Sequence, residues 1–506
     1  MGKYLIAHDL GTSSNKASLF STKGELIKSC TVPYEVNYFQ KNYAEQNPGD
    51  WWDAVCLATQ KIITGVNKDD ILGLSFSSQM QACVVVDREG NELRPAMIWA
   101  DMRSEKQMEQ LKDKVGFEQM YRLNGHRPSP SYSIEKLMWI RDYEPEIYRS
   151  TYKMLLAKDY IICRLTGEFV TDYSEASGTD AFDLEGLKWS ETVLAAAKID
   201  ADKMPALHAS TDVIGSLTPT AAEALGLSEA ARVVCGGGDG PCSALGAGSV
   251  EPGQMFLSFG TSAWIAGTTD KVFLDQDRTV ICFAHVIPGK YVPCGTMQAA
   301  GSSYSYIRNA LCAAEEKLSA ETGESIYEIM NQMVLASPPG AKGLVFLPYL
   351  LGERSPRWNP NTSGSFLGIK MEHEKCDYIR AVLEGIAMNL DIILAAQREN
   401  TAITELIITG GGAKGDVLVQ ILADVLGVVI HRLNHVEAAT SIAAAVIAGI
   451  GVGIFKDFSV IHQFIQREKT FYPNEKNQKI YNRQKQLFEA GYQGLKDYYK
   501  LDARLE

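Results

Sequence analysis

The sequence contains no Cys-x-x-Cys pair. Its ten cysteines stand singly, at 30, 56, 83, 163, 235, 242, 282, 294, 312 and 376, and no Cys/His cluster has zinc-ligand spacing. A zinc ribbon or disulfide scaffold is excluded, and reduced thiols packed as small hydrophobes are expected. Basic residues are also scarce: 49 Lys and Arg face 61 Asp and Glu, a net charge of −12 at pH 7. A surface of that sign repels phosphate backbones and anionic lipid, so neither nucleic acid nor a membrane surface is an expected partner. Long hydrophobic runs are missing. The longest, 442–455, is too short and too rich in glycine to span a bilayer. The first nine residues hold no apolar signal core, and Ile6 stands where N-myristoylation needs Ser or Thr. A cytoplasmic location is the expectation. Gly-x4-Gly-Lys-Ser/Thr, His-Glu-x-x-His and Gly-x-Ser-x-Gly do not occur, and the eight histidines are dispersed.

What is present is globular. Hydrophobic residues make up 46% and charged residues 22%, and 506 residues exceed what one core holds, so at least two domains are required. Residues 4–7 read as a strand, 11–14 as a turn, 17–20 as a strand and 25–28 as another, a β-meander with hydroxyls in its first turn. A similar unit returns at 255–266. Its Gly260-Thr261-Ser262 lies 249 residues after Gly11-Thr12-Ser13, close to half the chain, which suggests a duplicated domain. Residues 246–253 concentrate Gly and Pro and look like the crossing between halves. Further on, a strand at 405–409, a turn at 410–412, a helix at 416–426 and a strand from 428 alternate as in an α/β fold. Residues 438–448 should form a helix buried on most sides. Beyond 466 the chain reads as a solvated, Tyr-rich helix. Trp51-Trp52 reads as core packing at a helix start.

Three glycine loops could carry chemistry. Asp9-Leu-Gly-Thr-Ser-Ser14 offers a carboxylate at a strand end, then backbone N–H groups and hydroxyls suited to phosphate oxygens, with Asp9 able to hold Mg²⁺. An ordinary hairpin with Asp at a turn is the plainer reading. The matching loop in the other half favours a clamp on a polyphosphate. Gly236-Gly-Gly-Asp239-Gly240 presents Asp239 after a strand, and there Asp could simply cap the next helix. Gly410-Gly-Gly-Ala-Lys-Gly415 formally fits a dinucleotide fingerprint, but His431 and Arg432 stand where its acid should follow. A slot for adenine or ribose fits equally.

Together these residues resemble the FGGY carbohydrate kinases of the actin-like ATPase superfamily, over essentially the whole chain. Ser131-Tyr-Ser-Ile-Glu-Lys-Leu-Met-Trp-Ile140 is similar to one family signature. Gly352-Glu-Arg-Ser-Pro-Arg-Trp358 through Ala381-Val-Leu-Glu-Gly-Ile386 is similar to the second. Gln79-Met-Gln81 and Arg94–Asp101 look most like xylulokinases. Those typically carry His where this chain has Gln81 and Asn where it has Gly240.

The resemblance implies an α/β fold of two duplicated actin-like (ribonuclease H-like) domains, 1–247 and 248–506, with a nucleotide and sugar cleft between them. It implies ATP-dependent phosphorylation of a small sugar, foremost a ketopentose such as D-xylulose, with gluconate, L-fuculose, L-ribulose or a polyol as alternatives. Asp239 would be the base, and Met80, Gln81, Trp99, Asp101 and Gly240 would face the sugar. Gly11, Thr12, Ser13, Gly260, Thr261, Ser262, Gly301, Gly411, Gly412, Ala413 and Asp416 would serve ATP, and Asp9 with Asp239 would hold Mg²⁺. A base of ordinary pKa suffices, because phosphoryl transfer relies on positioning and charge stabilisation. The partners expected are the sugar and ATP, with a homodimer as the expected assembly. Two rivals differ in class: an actin-like ATPase interaction protein, which needs no sugar pocket, and a nicotinamide oxidoreductase using the Gly410 loop.

Overall fold

A computed structural model describes residues 2–399, 401–434 and 437–505. Its strands and helices are set by the expected punctuation. In the first half the strands are β1 (Tyr4–Leu10), β2 (Ser14–Ser21), β3 (Leu26–Pro33), β4 (Ile71–Ser78), β5 (Val213–Ser216) and β6 (Arg232–Val234). They form one sheet in the order β5-β6-β4-β1-β2-β3, and the short strand Gly237–Gly238 also pairs with β4. In the second half β7 (Met255–Phe259), β8 (Ala263–Gly267), β9 (Ile281–Ala284), β10 (Tyr291–Met297), β11 (Glu405–Thr409), β12 (Val429–Leu433) and β13 (Arg467–Phe471) run in the order β9-β10-β8-β7-β11-β12-β13.

The two sheets repeat one plan. An antiparallel meander (β1-β2-β3; β7-β8-β10) adjoins two parallel strands (β4, β6; β11, β12), and an antiparallel edge strand closes each sheet (β5; β13). The duplication suggested by the repeated turn extends to both sheets. The fold is the expected α/β class.

Helices cover the sheets. Those used below are α1 (Pro48–Ile62), α2 (Ser133–Tyr143), α3 (Asp239–Gly246), α4 (Gly301–Leu311), α5 (Lys375–Arg398), α6 (Asp416–Leu426), α7 (Ala439–Gly451) and α8 (Glu475–Leu505). Trp51 is fully buried on α1, as expected of a core residue. The small apolar residues of α7 are buried from Ser441 to Gly449, and they pack on Leu5, Ala7, Val234, Cys242 and Leu245. A helix late in the chain thus seals the back of the first sheet. Small side chains permit that close approach, and a charged residue at Ala444 would break it.

The C-terminal tail differs from expectation. It begins with β13, which completes the second sheet, and α8 is docked rather than solvated: Tyr481, Phe488, Tyr492 and Tyr499 are buried in the second core. Its aromatics recur at helical spacing, and that stripe outweighs the charge around it. Among the described residues no helix is long and apolar enough to cross a membrane. All ten cysteines are free thiols.

Candidate active site

The site lies where three chain segments end side by side in the first sheet. β1 runs parallel to β4, and β4 runs parallel to Gly237–Gly238, so their carboxyl ends open on one edge. The Gln79 N–H donates to the Leu10 carbonyl at 2.8 Å, which locks the first turn to the segment carrying Met80 and Gln81. Gly236 adopts φ +75°, and a Cβ there would meet the Phe76 carbonyl at 2.3 Å, so only glycine lets the chain fold in beside β4. Gly238 then accepts the neighbouring Met80 side chain, and its N–H donates to Ser174 Oγ at 3.0 Å.

Asp239 is the first residue of α3, three residues earlier than the sequence pattern starts that helix, and it is partly exposed. Its carboxyl is pushed up to about 7, first by burial and second by the negative charge of Asp9; N–H donation from Gly240 and from its own backbone acts against this. The expectation of an ordinary pKa is therefore corrected: two acids share one poorly solvated corner. Asp9 is raised as well, chiefly by burial, while Thr440 Oγ donates to Asp9 Oδ2 at 2.7 Å and Lys16 adds positive potential. Thr440 belongs to α7, so each sheet's half supplies part of this corner.

Paired carboxylates with so few donors suit a divalent cation. Mg²⁺ is commonly held by one or two carboxylates plus phosphate and water oxygens, which is what Asp9 and Asp239 can offer. Among the described residues there is no group of three or more His, Cys, Asp or Glu that could hold a metal by itself.

The first turn is braced from outside. Gln46 Nε2 donates to the Thr12 carbonyl at 2.8 Å, and Trp99 Nε1 donates to Thr12 Oγ at 2.9 Å. Ser13 is exposed, and Gly11 is half-buried with its N–H on the Ser14 carbonyl. Met80 is buried, Gln81 half-buried with φ +68°, and Trp99 exposed. Asp101 lies fully buried, with Oδ2 accepting the Ala44 N–H at 2.7 Å while Arg103 spans both oxygens. Its carboxylate holds the loop together. Gly240 is half-buried, and a Cβ there would meet only Met80 Sδ at 3.7 Å and Trp264 Cη2 at 3.8 Å.

The second turn is exposed at Gly260, Thr261 and Ser262. Gly301 opens α4 directly against it: the Gly301 N–H donates to the Gly260 carbonyl at 3.0 Å, and a Cβ on Gly301 would stand 2.4 Å from that oxygen. On the other side, the loop after β11 abuts Phe259, with Gly412 packed on its ring, Gly411 open to solvent and Ala413 buried. Asp416 opens α6, where Arg432 donates to it at 2.8 Å and Lys469 also pairs with it. The Gly260, Gly301 and Gly411 segments thus form one surface, while Asp9 lies close enough to act on Asp239 and Met80 packs beside Gly238 and Gly240.

Sequence reasoning missed Thr440, Gln46 and Ser174. Thr440 was legible only as a hydroxyl at the start of an otherwise apolar helix. Gln46 and Ser174 act through contacts between elements that no local pattern marks.

This arrangement matches a known family across both halves. Residues 4–246 match the N-terminal domain, and residues 255–452 the C-terminal domain, of the FGGY family of carbohydrate kinases. The chain belongs to that family. The kinase is 34% identical over 492 residues to a xylulose kinase of Staphylococcus epidermidis, covering 96% of each chain. It is 31% identical over 490 residues to a gluconokinase of Bacillus licheniformis, covering 96% of this chain and 95% of that one. Its fold superposes on a ligand-bound xylulose kinase from Lactobacillus acidophilus with TM-score 0.92 and 29% identity, covering 98% and 99% of the two chains. The protein is a carbohydrate kinase, a phosphotransferase acting on an alcohol group, and its two small-molecule substrates are a sugar and ATP.

Proposed function

We propose that this kinase transfers the γ-phosphoryl group of ATP to a ketopentose, foremost D-xylulose, with Asp239 as the general base. The observation that carries the reading is Asp239 itself, a carboxylate at a helix start beside Asp9, partly exposed and pushed up to about 7. A base of that strength accepts a proton near neutral pH and releases it readily afterwards. The sugar oxygen forms its bond to the γ-phosphorus while the bond from that phosphorus to the bridging oxygen breaks. The hydroxyl proton passes to Asp239 and ADP leaves with the bonding electron pair. Met80, Gln81, Trp99 and Gly240 line the sugar side, and Asp101 acts there by fixing the Trp99 loop. Thr12 and Ser13 turn their donors towards the transferring phosphate, while Gly11 closes the turn through its N–H on the Ser14 carbonyl. Gly260, Thr261, Ser262, Gly301, Gly411, Gly412 and Ala413 receive the nucleotide, with Asp416 holding Arg432 at the loop's edge. Asp9 and Asp239 would hold Mg²⁺, which when bound neutralises phosphate charge.

We take 1–247 and 248–506 as the two bodies that close on the substrates, excluding water. The assembly we expect is a cytoplasmic homodimer, which sedimentation and fractionation test.

The sugar is decided by a coupled ADP-release assay over pentuloses, hexuloses, polyols and gluconate. Xylulose turnover at moderate efficiency is expected. Gln81→His with Gly240→Asn should shift preference towards xylulose several-fold, since the space at Gly240 admits a side chain. Gluconate preferred over every ketose would replace the ketopentose reading, and a wide xylulose preference in the unaltered enzyme would show that Gln81 and Gly240 do not restrain it.

A further inference from the structure

Lys136 is fully buried on α2, and its ammonium donates three hydrogen bonds, all to backbone carbonyls: Gln81 at 2.8 Å, Ile98 at 2.7 Å and Ser131 at 2.6 Å. An ammonium has three protons, so its whole donor capacity is spent on three separate segments. Those segments are the ones that border the sugar side. Gln81 lies on one, Trp99 follows Ile98 on the second, and Ser131 opens the segment leading into α2.

Gln81 holds a left-handed conformation at φ +68°, which is costly for a side-chain-bearing residue and persists only where surroundings enforce it. Two donors from α2 supply that enforcement, Lys136 on the Gln81 carbonyl and Ser133 Oγ on the Ala82 carbonyl at 2.9 Å. On the second segment the Ile98 carbonyl takes both Lys136 and the Asp101 N–H, while Trp99 reaches across to Thr12. Fixing Ile98 therefore fixes where the indole stands. Among the described residues no carboxylate bonds the Lys136 ammonium, so its position follows the three carbonyls. Burying a charge this way costs stability unless its donors are matched, and here all three are spent on carbonyls of separate segments.

We propose that Lys136 is a positioning residue for sugar recognition, a single ammonium that sets the mutual geometry of the Gln81 and Trp99 segments. The inference rests on the assignment of those segments to the sugar side. Lys136→Met keeps an unbranched apolar stem and removes all three donors; Lys136→Gln keeps two. With the panel sugar that the unaltered enzyme turns over fastest, Lys136→Met should raise the sugar KM tenfold or more while the ATP KM stays within twofold. Lys136→Gln should fall between.

A sugar KM within threefold of wild type in folded Lys136→Met, or equal rises in both KM values, would overturn the proposal. Should neither variant fold, hydrogen exchange of the unaltered enzyme decides. Peptides over 79–83, 96–101 and 129–133 should share one opening free energy, and opening constants differing by tenfold or more would overturn the proposal. Failure of the functional reading shows separately, as absence of sugar turnover by the unaltered enzyme or its survival in Asp239→Asn.

Discussion

The two Gly-Thr-Ser turns occupy equivalent places in two copies of one sheet, yet they have become different instruments. Two residues before the glycine, the first strand carries Asp9 and the second carries Ser258. Three residues before it stand His8 and Leu257. The first turn also has one residue more, closing from the Gly11 N–H to the Ser14 carbonyl, whereas the second closes from Gly260 to Ser262. The first is braced by side chains, Gln46 and Trp99, and shares its corner with the Asp239 carboxylate. The second is braced by backbone, pressed between the start of α4 and the loop after β11. Duplication supplied two similar turns, and the two carboxylates beside the first, Asp9 and Asp239, set it apart from the second, which in the proposed reaction receives the nucleotide.

The comparison is broken most severely at the acid it depends on. Asp239→Asn should lower sugar turnover by ~10²–10⁴-fold while ATP binding by calorimetry stays near wild type. Retention of more than about half the rate would remove the chemical distinction between the halves. Asp9→Ser, which makes the first turn resemble the second, should cost less than Asp239→Asn and raise the Mg²⁺ concentration needed for half-maximal rate; an unchanged Mg²⁺ requirement would contradict it.

The next test exploits how each turn is braced. Gly301→Ala places a methyl 2.4 Å from the Gly260 carbonyl, so the second turn must move. Overpacking of this kind costs about 1–3 kcal/mol, and an ATP KM raised roughly tenfold or more is expected. Gly11→Ala meets only the Ser14 carbonyl, at 3.4 Å, and should raise the ATP KM much less. Equal effects on ATP KM would mean the turns are braced alike.

The smallest effect concerns His8, the residue whose counterpart is Leu257. His8 is stacked on Phe76, near Asn15 and Thr59, and burial lowers its pKa to about 4. Below pH 6.5 the unfolded chain takes up a proton that the native state refuses, so stability is lost as pH falls from 6.5 towards 4. By pH 5 this amounts to about 2 kcal/mol. His8→Gln has no such proton, so its stability deficit relative to wild type should narrow over that range in denaturant titrations. A constant gap would show that His8 is not held neutral.

Much of this was legible locally. The strands flanking each turn, the helix over 416–426 and the buried helix near 439–451 follow from apolar spacing and glycine punctuation, which act between neighbours in sequence. The repeated Gly-Thr-Ser marked the duplication, and the order of the signature segments marked the family. The α8 aromatics read as solvated in the sequence because the charge between them masks the stripe that the fold buries. What the tertiary structure decided lies between distant segments. Asp9 raises the pKa of Asp239 only because parallel strands bring 230 residues of chain back to one edge. Thr440 reaches Asp9 only because α7 crosses to the first sheet. Lys136 can bind three carbonyls only once three loops have converged. Local pattern encodes which face of an element is apolar, while field, hydrogen bond and desolvation depend on distances that exist only after packing.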